Sequence, residues 1–213
     1  MKRLYVYCEG QTEEAFVKKQ LYPHLIAKDI CTIPIVCITK EGPQGVYKGG
    51  IVDYNKAVKE IRRYCKQHPH ETVTSFIDYY GLNNLPTLTA VSNKYELIEK
   101  LESCLQNDVG CSNFIPYLSL HEFESLLFSD PTQFGYLSAD AVAKFKEILV
   151  EFGDNPEFIN NGIDTAPSKR ISKEIINYGK ILDGNRIAER ISLAGIRKNC
   201  RHFSQWVTQL ESI

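Results

Sequence analysis

Four β-prone runs alternate with three helical stretches through the first 125 residues, and this alternation restricts the fold more than any other feature of the chain. Residues 3–8 (RLYVYC), 31–39 (CTIPIVCIT), 72–78 (TVTSFID) and 114–120 (FIPYLSL) are short and rich in β-branched and aromatic side chains, as strands require. Between the first two, Thr12 is placed to cap a helix with Glu13 and Glu14 in its first turn. Phe16, Val17, Leu21, Leu25 and Ile26 repeat there at helical spacing, and Pro23 predicts a kink or break. Ile51, Tyr54, Val58, Ile61 and Cys65 form the stripe of a second helix over 51–67, and Tyr95, Leu97, Ile98, Leu101 and Leu105 that of a third over 93–107. Strand–helix alternation of this kind predicts an α/β fold with right-handed crossovers, a mostly parallel sheet and helices on both faces.

The segment EGPQGVYKGG (41–50) is rich in glycine, but no Gly-Lys-Ser/Thr follows, so it reads as a mobile loop and not a phosphate-binding loop. From 138 onward the pattern turns helical, over 138–152, 168–180, 185–193 and 202–212, with the polar stretch GDNPEFINNGIDTAP between the first two. The expected organisation is an α/β core over 1–130 and a helical, basic region over 131–213 packed on it. A length of 213 residues with 43% apolar content supports a sizeable core, and no apolar run reaches the ~20 residues of a membrane span. The N-terminus lacks a signal-peptide apolar region, and seven cysteines occur without a CxxC pair; both point to reduced thiols and the cytoplasm.

The net charge of −1 hides an asymmetry. Residues 169–201 hold nine basic side chains against Glu174, Asp183 and Glu189, whereas 1–168 are acidic on balance. Such a split suits a protein that meets a polyanion, although a solvated helical surface shows it equally well.

Parallel α/β sheets carry their sites beyond the carboxyl ends of the strands. Three predicted strands end in acids there: Glu9 after the first, Asp78 after the third, and His121-Glu122-Phe123-Glu124 after the fourth. Glu9 and Glu13 flank a strand-to-helix bend at Gly10, where two carboxylates can face one point and offer the hard oxygen ligands that Mg²⁺ or Mn²⁺ takes. Glu13 and Glu14 serve a helix dipole equally well, and Asp78 a turn. Glu122 is the preferred ligand of its pair with Glu124, and His121 stands open as ligand, base or structural residue. Ser168 reads as a helix cap, which puts Lys169 and Arg170 in a first turn where cations oppose the dipole, a pattern that phosphate binding or simple solvation explains.

The strings YCEGQTEE (7–14), FIDYYGL (76–82), IPY (115–117) with HEFE (121–124) and LLFSD (126–130), TAPSKR (165–170), AERI (188–191) and HF (202–203) together resemble the bacterial domain-of-unknown-function 4276 family over nearly the whole chain. The resemblance implies a Toprim-like fold, related to nucleases of the overcoming-lysogenization-defect type, which often work beside an ABC-type ATPase in anti-phage defence. In that pattern Glu9, Glu13 and Asp78 match acids that bind Mg²⁺, Tyr80 stands where a second aspartate would, and Glu122 or Glu124 is available as the replacement. Lys169 takes the part of the nuclease-type lysine.

The resulting expectation is a Mg²⁺-dependent (or Mn²⁺-dependent) phosphodiester hydrolase acting on DNA or RNA. Glu9, Glu13, Asp78, Glu122 and Glu124 are its metal ligands, and His121 assists proton transfer. Lys169, Arg170, Lys173 and Arg197 contact nucleic acid. The rival expectation is a binding or regulatory module of the same fold that has lost catalysis and acts through an ATPase partner.

Overall fold

The computed structural model of the chain describes residues 1–42, 45–48, 53–88, 91–160 and 162–213. They form two compact units, Met1–Leu120 with Leu210–Ile213, and His121–Gln209. The sequence pattern predicts a division at 130; the compact units divide after Leu120.

The first unit is built on a parallel sheet. Its strands are β1 (Lys2–Cys8), β2 (Ile30–Val36), β5 (Thr72–Asp78), β6 (Phe114–Ile115) and β7 (Leu118–Ser119), in the order β2-β1-β5-β6, with β7 also pairing β5. Every pairing in this sheet is parallel. The run Val73–Ile77 is buried throughout, and successive strand residues point to opposite faces, so both faces of the central strand are covered. Helix α3 (Tyr54–Gln67) packs on β5 and on α4 (Lys94–Val109), while α1 (Gln11–Phe16) and α2 (Tyr22–Ile26) pack on β2. Asp53 caps α3 by accepting from the Lys56 amide, and Asn93 caps α4 by accepting from Glu96.

Pro23 does not break its helix. A π-helical turn over Val17–Leu21 joins α1 to α2, with the Tyr22 amide donating to the Val17 carbonyl. The wider turn absorbs a residue that lacks an N–H and whose ring crowds the preceding turn. The helix starts at Gly10, not Thr12, as its capping residue.

The predicted fourth strand is two strands. Pro116 has no amide hydrogen, and Ser75 Oγ, 2.9 Å from both the carbonyl and the amide of Tyr117, takes the place of ladder bonds. The glycine-rich segment expected as a loop contains an antiparallel hairpin, β3 (Ile38–Gly42) with β4 (Gly45–Lys48). Residues 43–44 and 49–52 of this stretch lie outside the described residues, as do 89–90 of the loop after Gly81. The chain terminus belongs to this unit: Lys2 Nζ donates to the Ile213 carbonyl, and His24 Nε2 lies 2.5 Å from Glu211 Oε1.

The second unit is helical among its described residues. Two 3₁₀ segments, Phe123–Ser129 and Pro131–Tyr136, precede α5 (Ala139–Glu151), α6 (Pro167–Glu174), α7 (Asn185–Asn199) and α8 (Arg201–Glu211). Phe128, Phe134 and Phe145 pack ring against ring at its centre, with centroids 4.4–5.6 Å apart. The helix expected over 168–180 ends at Glu174, because Ile175 turns extended and Asn177 takes a left-handed φ of 62°. Helix α7 is kinked at Ser192, whose hydroxyl accepts from the Gly195 amide and restarts the helix. Glu157, 2% exposed, accepts from the amides of His202 and Phe203 and so caps α8 from outside it. Among the described residues no helix is long and apolar enough to cross a membrane.

Candidate functional site

Two parallel strands that lie side by side, β1 and β5, deliver Glu9 and Asp78 to the same end of the sheet. The backbone of Glu9 is pinned on both sides: its amide donates to the Phe76 carbonyl at 3.2 Å, and its carbonyl accepts from Cys37 Sγ at 2.9 Å. Its side chain turns across the end of β5, where Oε2 accepts from the Asp78 amide at 3.1 Å. A 3₁₀ turn, Tyr79–Gly81, follows directly and leaves Tyr80 42% exposed. Gly81 then lies against the Glu9 carboxyl group: a methyl group there would sit 3.2–3.6 Å from both oxygens and the carboxyl carbon.

Glu13 is 5% exposed, and its Oε2 accepts from the Gly10 amide at 2.8 Å. This is one arm of a capping box, with the third helical residue reaching back to the cap. Burial, reinforced by the negative charge of Glu13 and Glu14, pushes the Cys8 thiol well above its ordinary range, so it is a neutral core group.

The remaining sequence-selected residues belong to the second unit. Glu122 Oε2 accepts from the Ser168 amide at 2.9 Å. Ser168 is therefore not the cap of α6: Ala166 holds that place, Pro167 follows, and the Glu122 carboxylate supplies the acceptor that the alanine lacks. Glu124 is 2% exposed. The ammonium nearest this pair is Lys180, whose Nζ lies 3.6 Å from Glu124 Oε1 and 3.8 Å from Glu122 Oε1. Tyr178 packs beside them; burial, then Glu124, Asp183 and Glu122, push its hydroxyl far above the usual tyrosine range. His121 is buried, with Nδ1 3.3 Å from the Asn160 side-chain nitrogen, while Asn160 Oδ1 accepts from Gly162.

The basic residues separate in the same way. Lys169 and Lys173 are exposed. Arg170 donates from Nε to the Thr165 carbonyl and lies over the Phe152 ring, so it is held by its own unit. These three share a cleft of about 290 Å³ with Lys144, and four carboxylates, Glu147 and Glu151 among them, line the same walls. Arg197 is bonded to Thr208 Oγ1. The clustered sequence charge is thus locally balanced at the cleft.

A divalent hard cation is the group these residues invite. The donors at the strand ends are carboxylates, and a slot free of side-chain carbon adjoins one of them. Among the described residues no three His, Cys, Asp or Glu side chains converge to hold a metal ion. Mg²⁺ is commonly bound by one or two carboxylates and completed by water and substrate phosphate. Glu9 and Asp78 are the carboxylates of adjoining strand ends that could hold one.

Fold and site together define a parallel α/β protein with an acidic strand-end cluster and a separate helical unit. The chain belongs to the family described as "Domain of unknown function (DUF4276)", whose profile matches residues 8–211. No curated protein matches it. Among solved structures it is similar to the C-terminal region of the Burkholderia pseudomallei OLD protein, at 15% identity and a TM-score of 0.48, over 100% of this chain and 98% of that one.

Proposed function

We propose that the chain is a Toprim-like, Mg²⁺-dependent hydrolase of phosphodiester bonds in nucleic acid. The observation that carries this reading is the placement of Glu9 and Asp78 at the carboxyl ends of adjacent parallel strands, with the Glu9 carboxylate fixed on the Asp78 amide. A bound cation would supply a nucleophilic water and neutralise charge developing on the phosphate. Glu9 and Asp78 hold that cation, and the amide of Asp78 and the slot at Gly81 keep the Glu9 carboxylate oriented toward it. Glu13 supports the bend at Gly10 as a capping residue and is the third candidate ligand in the same unit. Glu122 and Glu124 form a second carboxylate pair in the His121–Gln209 unit, where Lys169 and Lys173 are the exposed phosphate contacts. His121, buried against Asn160, is proposed to relay a proton. The protein works with an ABC-type ATPase in defence against phage.

One observation favours the second reading, a non-catalytic module acting through that partner: Glu9 and Glu13 each have one oxygen engaged by a backbone amide. Titration of Mg²⁺ and Mn²⁺ followed by thermal unfolding separates the two. The hydrolase reading expects the midpoint of the wild type to rise, by the equivalent of ~2.7 kcal/mol at a hundredfold excess over Kd. It expects Glu9→Gln and Asp78→Asn to abolish that rise, together with metal-dependent cleavage of plasmid DNA or total RNA. Absence of any shift in the wild type supports the module.

A further inference from the structure

We infer that Gly81 is a positioning residue whose missing side chain is the seat of the Glu9 carboxylate. This rests on the reading of Glu9 as a cation ligand. The backbone at Gly81 does not call for glycine, because its φ lies outside the left-handed range that disfavours side chains. Space is what calls for it. An added Cβ would meet Glu9 Oε1 at 3.2 Å, Oε2 at 3.4 Å and Cδ at 3.6 Å, so its three nearest neighbours are the whole carboxyl group. The carboxylate cannot yield freely. Its Oε2 is bonded to the Asp78 amide, and the backbone of Glu9 is held by Phe76 and Cys37. Asp78 itself opens the turn that ends at Gly81. Asp78 and the seat are thus carried by one short turn, and a methyl group at Gly81 displaces the Glu9 carboxylate relative to Asp78.

The same device recurs at the other acid of the bend. Gly10 has an extended backbone, φ −149°, that any residue adopts, and its added Cβ would lie 3.3 Å from Glu13 Oε2. Both glycines of the cluster are explained by a carboxylate and neither by its own dihedral angles.

The test uses Mn²⁺ as probe, read by its electron paramagnetic resonance signal, and urea unfolding of the same proteins. Gly81→Ala is expected to weaken Mn²⁺ binding about tenfold, as for other residues that orient a ligand. In a Glu9→Asp background, where the carboxylate is one methylene shorter and withdrawn from the slot, Gly81→Ala is expected to change Mn²⁺ affinity less than twofold. Equal Mn²⁺ affinity of wild type and Gly81→Ala overturns the positioning role. The unfolding measurement needs no metal. Gly81→Ala lowers the urea midpoint when Glu9 is present and leaves it unchanged in a Glu9→Ala background; equal losses in both backgrounds overturn the inference. A Gly81→Ala protein that fails to fold is rescued by Glu9→Ala if the seat is real, and failure of the double variant also refutes it. Absence of Mn²⁺ binding in the wild type would sink the metal reading itself, leaving the unfolding comparison to decide whether Gly81 seats Glu9.

Discussion

Replacing Glu157 by glutamine tests a buried carboxylate contact of the helical unit. Each carboxylate oxygen serves one amide at the start of α8: Oε2 accepts from His202 at 3.0 Å and Oε1 from Phe203 at 2.9 Å. Glutamine keeps one acceptor and turns an NH₂ group toward the other amide. One charge-assisted bond is lost and one buried N–H is left facing a donor, a cost of about 2 kcal/mol. For a chain of this size that is a fall in Tm of roughly 4–8 °C. Glu157→Ala loses both acceptors and costs about 4 kcal/mol. The single tryptophan, Trp206, lies 2% exposed in α8 with its ring 5.6 Å from Phe203, so its fluorescence reports this helix during urea unfolding. Glu151→Gln, on the exposed face of α5, serves as control and is expected within 0.5 kcal/mol of the wild type. A Glu157→Gln protein as stable as that control would refute the view that α8 is capped by a remote carboxylate.

Two further outcomes follow from the same unit. A methyl group at Gly184 would come within 2.7 Å of the Tyr178 hydroxyl, so Gly184→Ala is expected to destabilise by about 1–3 kcal/mol, and Tyr178→Phe in the same chain to recover most of the loss in urea unfolding. Burial alone would raise the Asp130 carboxyl, but hydrogen bonds from Thr132 and Gln133 outweigh it and hold the group below the usual carboxylate range. Its stabilisation is therefore complete above the unfolded value of about 3.9 and is lost as pH falls through the folded value. Asp130→Asn should flatten the acid limb of stability below about pH 4. An unchanged limb would show that other carboxylates set it.

The parallel core was legible because its signals are local. β1, β2 and β5 are short branched runs closed by polar residues, and α3 and α4 carry both an apolar stripe and a side-chain cap. The acids at the ends of β1 and β5 follow from that alternation. What failed to show depends on contacts distant in sequence. Ser75 splitting the fourth strand, Glu122 capping α6 and Glu157 capping α8 each join residues more than forty positions apart. Lys180, not Lys169, is the ammonium nearest Glu122 and Glu124, because the helix that would have carried both ends at Glu174. The only sequence sign of this was Asn177 and Gly179, which fit a left-handed or open backbone better than a helix interior. Gly81 read as a loop residue, and nothing in its neighbours announces the carboxylate it accommodates.

One outer strand of the parallel sheet contains a proline and the other is followed directly by one, and this bears on how the folded chain meets other chains. Pro34 lies at the middle of β2, opposite Val6 of β1, and Pro116 separates β6 from β7. An incoming extended peptide needs an unbroken row of amides and carbonyls to lengthen a sheet, and each proline deletes a donor from that row. Strand addition is therefore disfavoured at either margin, whether by a second copy of the chain or by an unfolded one. A protein partner that binds this unit would be expected to do so through side chains and helices, without extending the sheet.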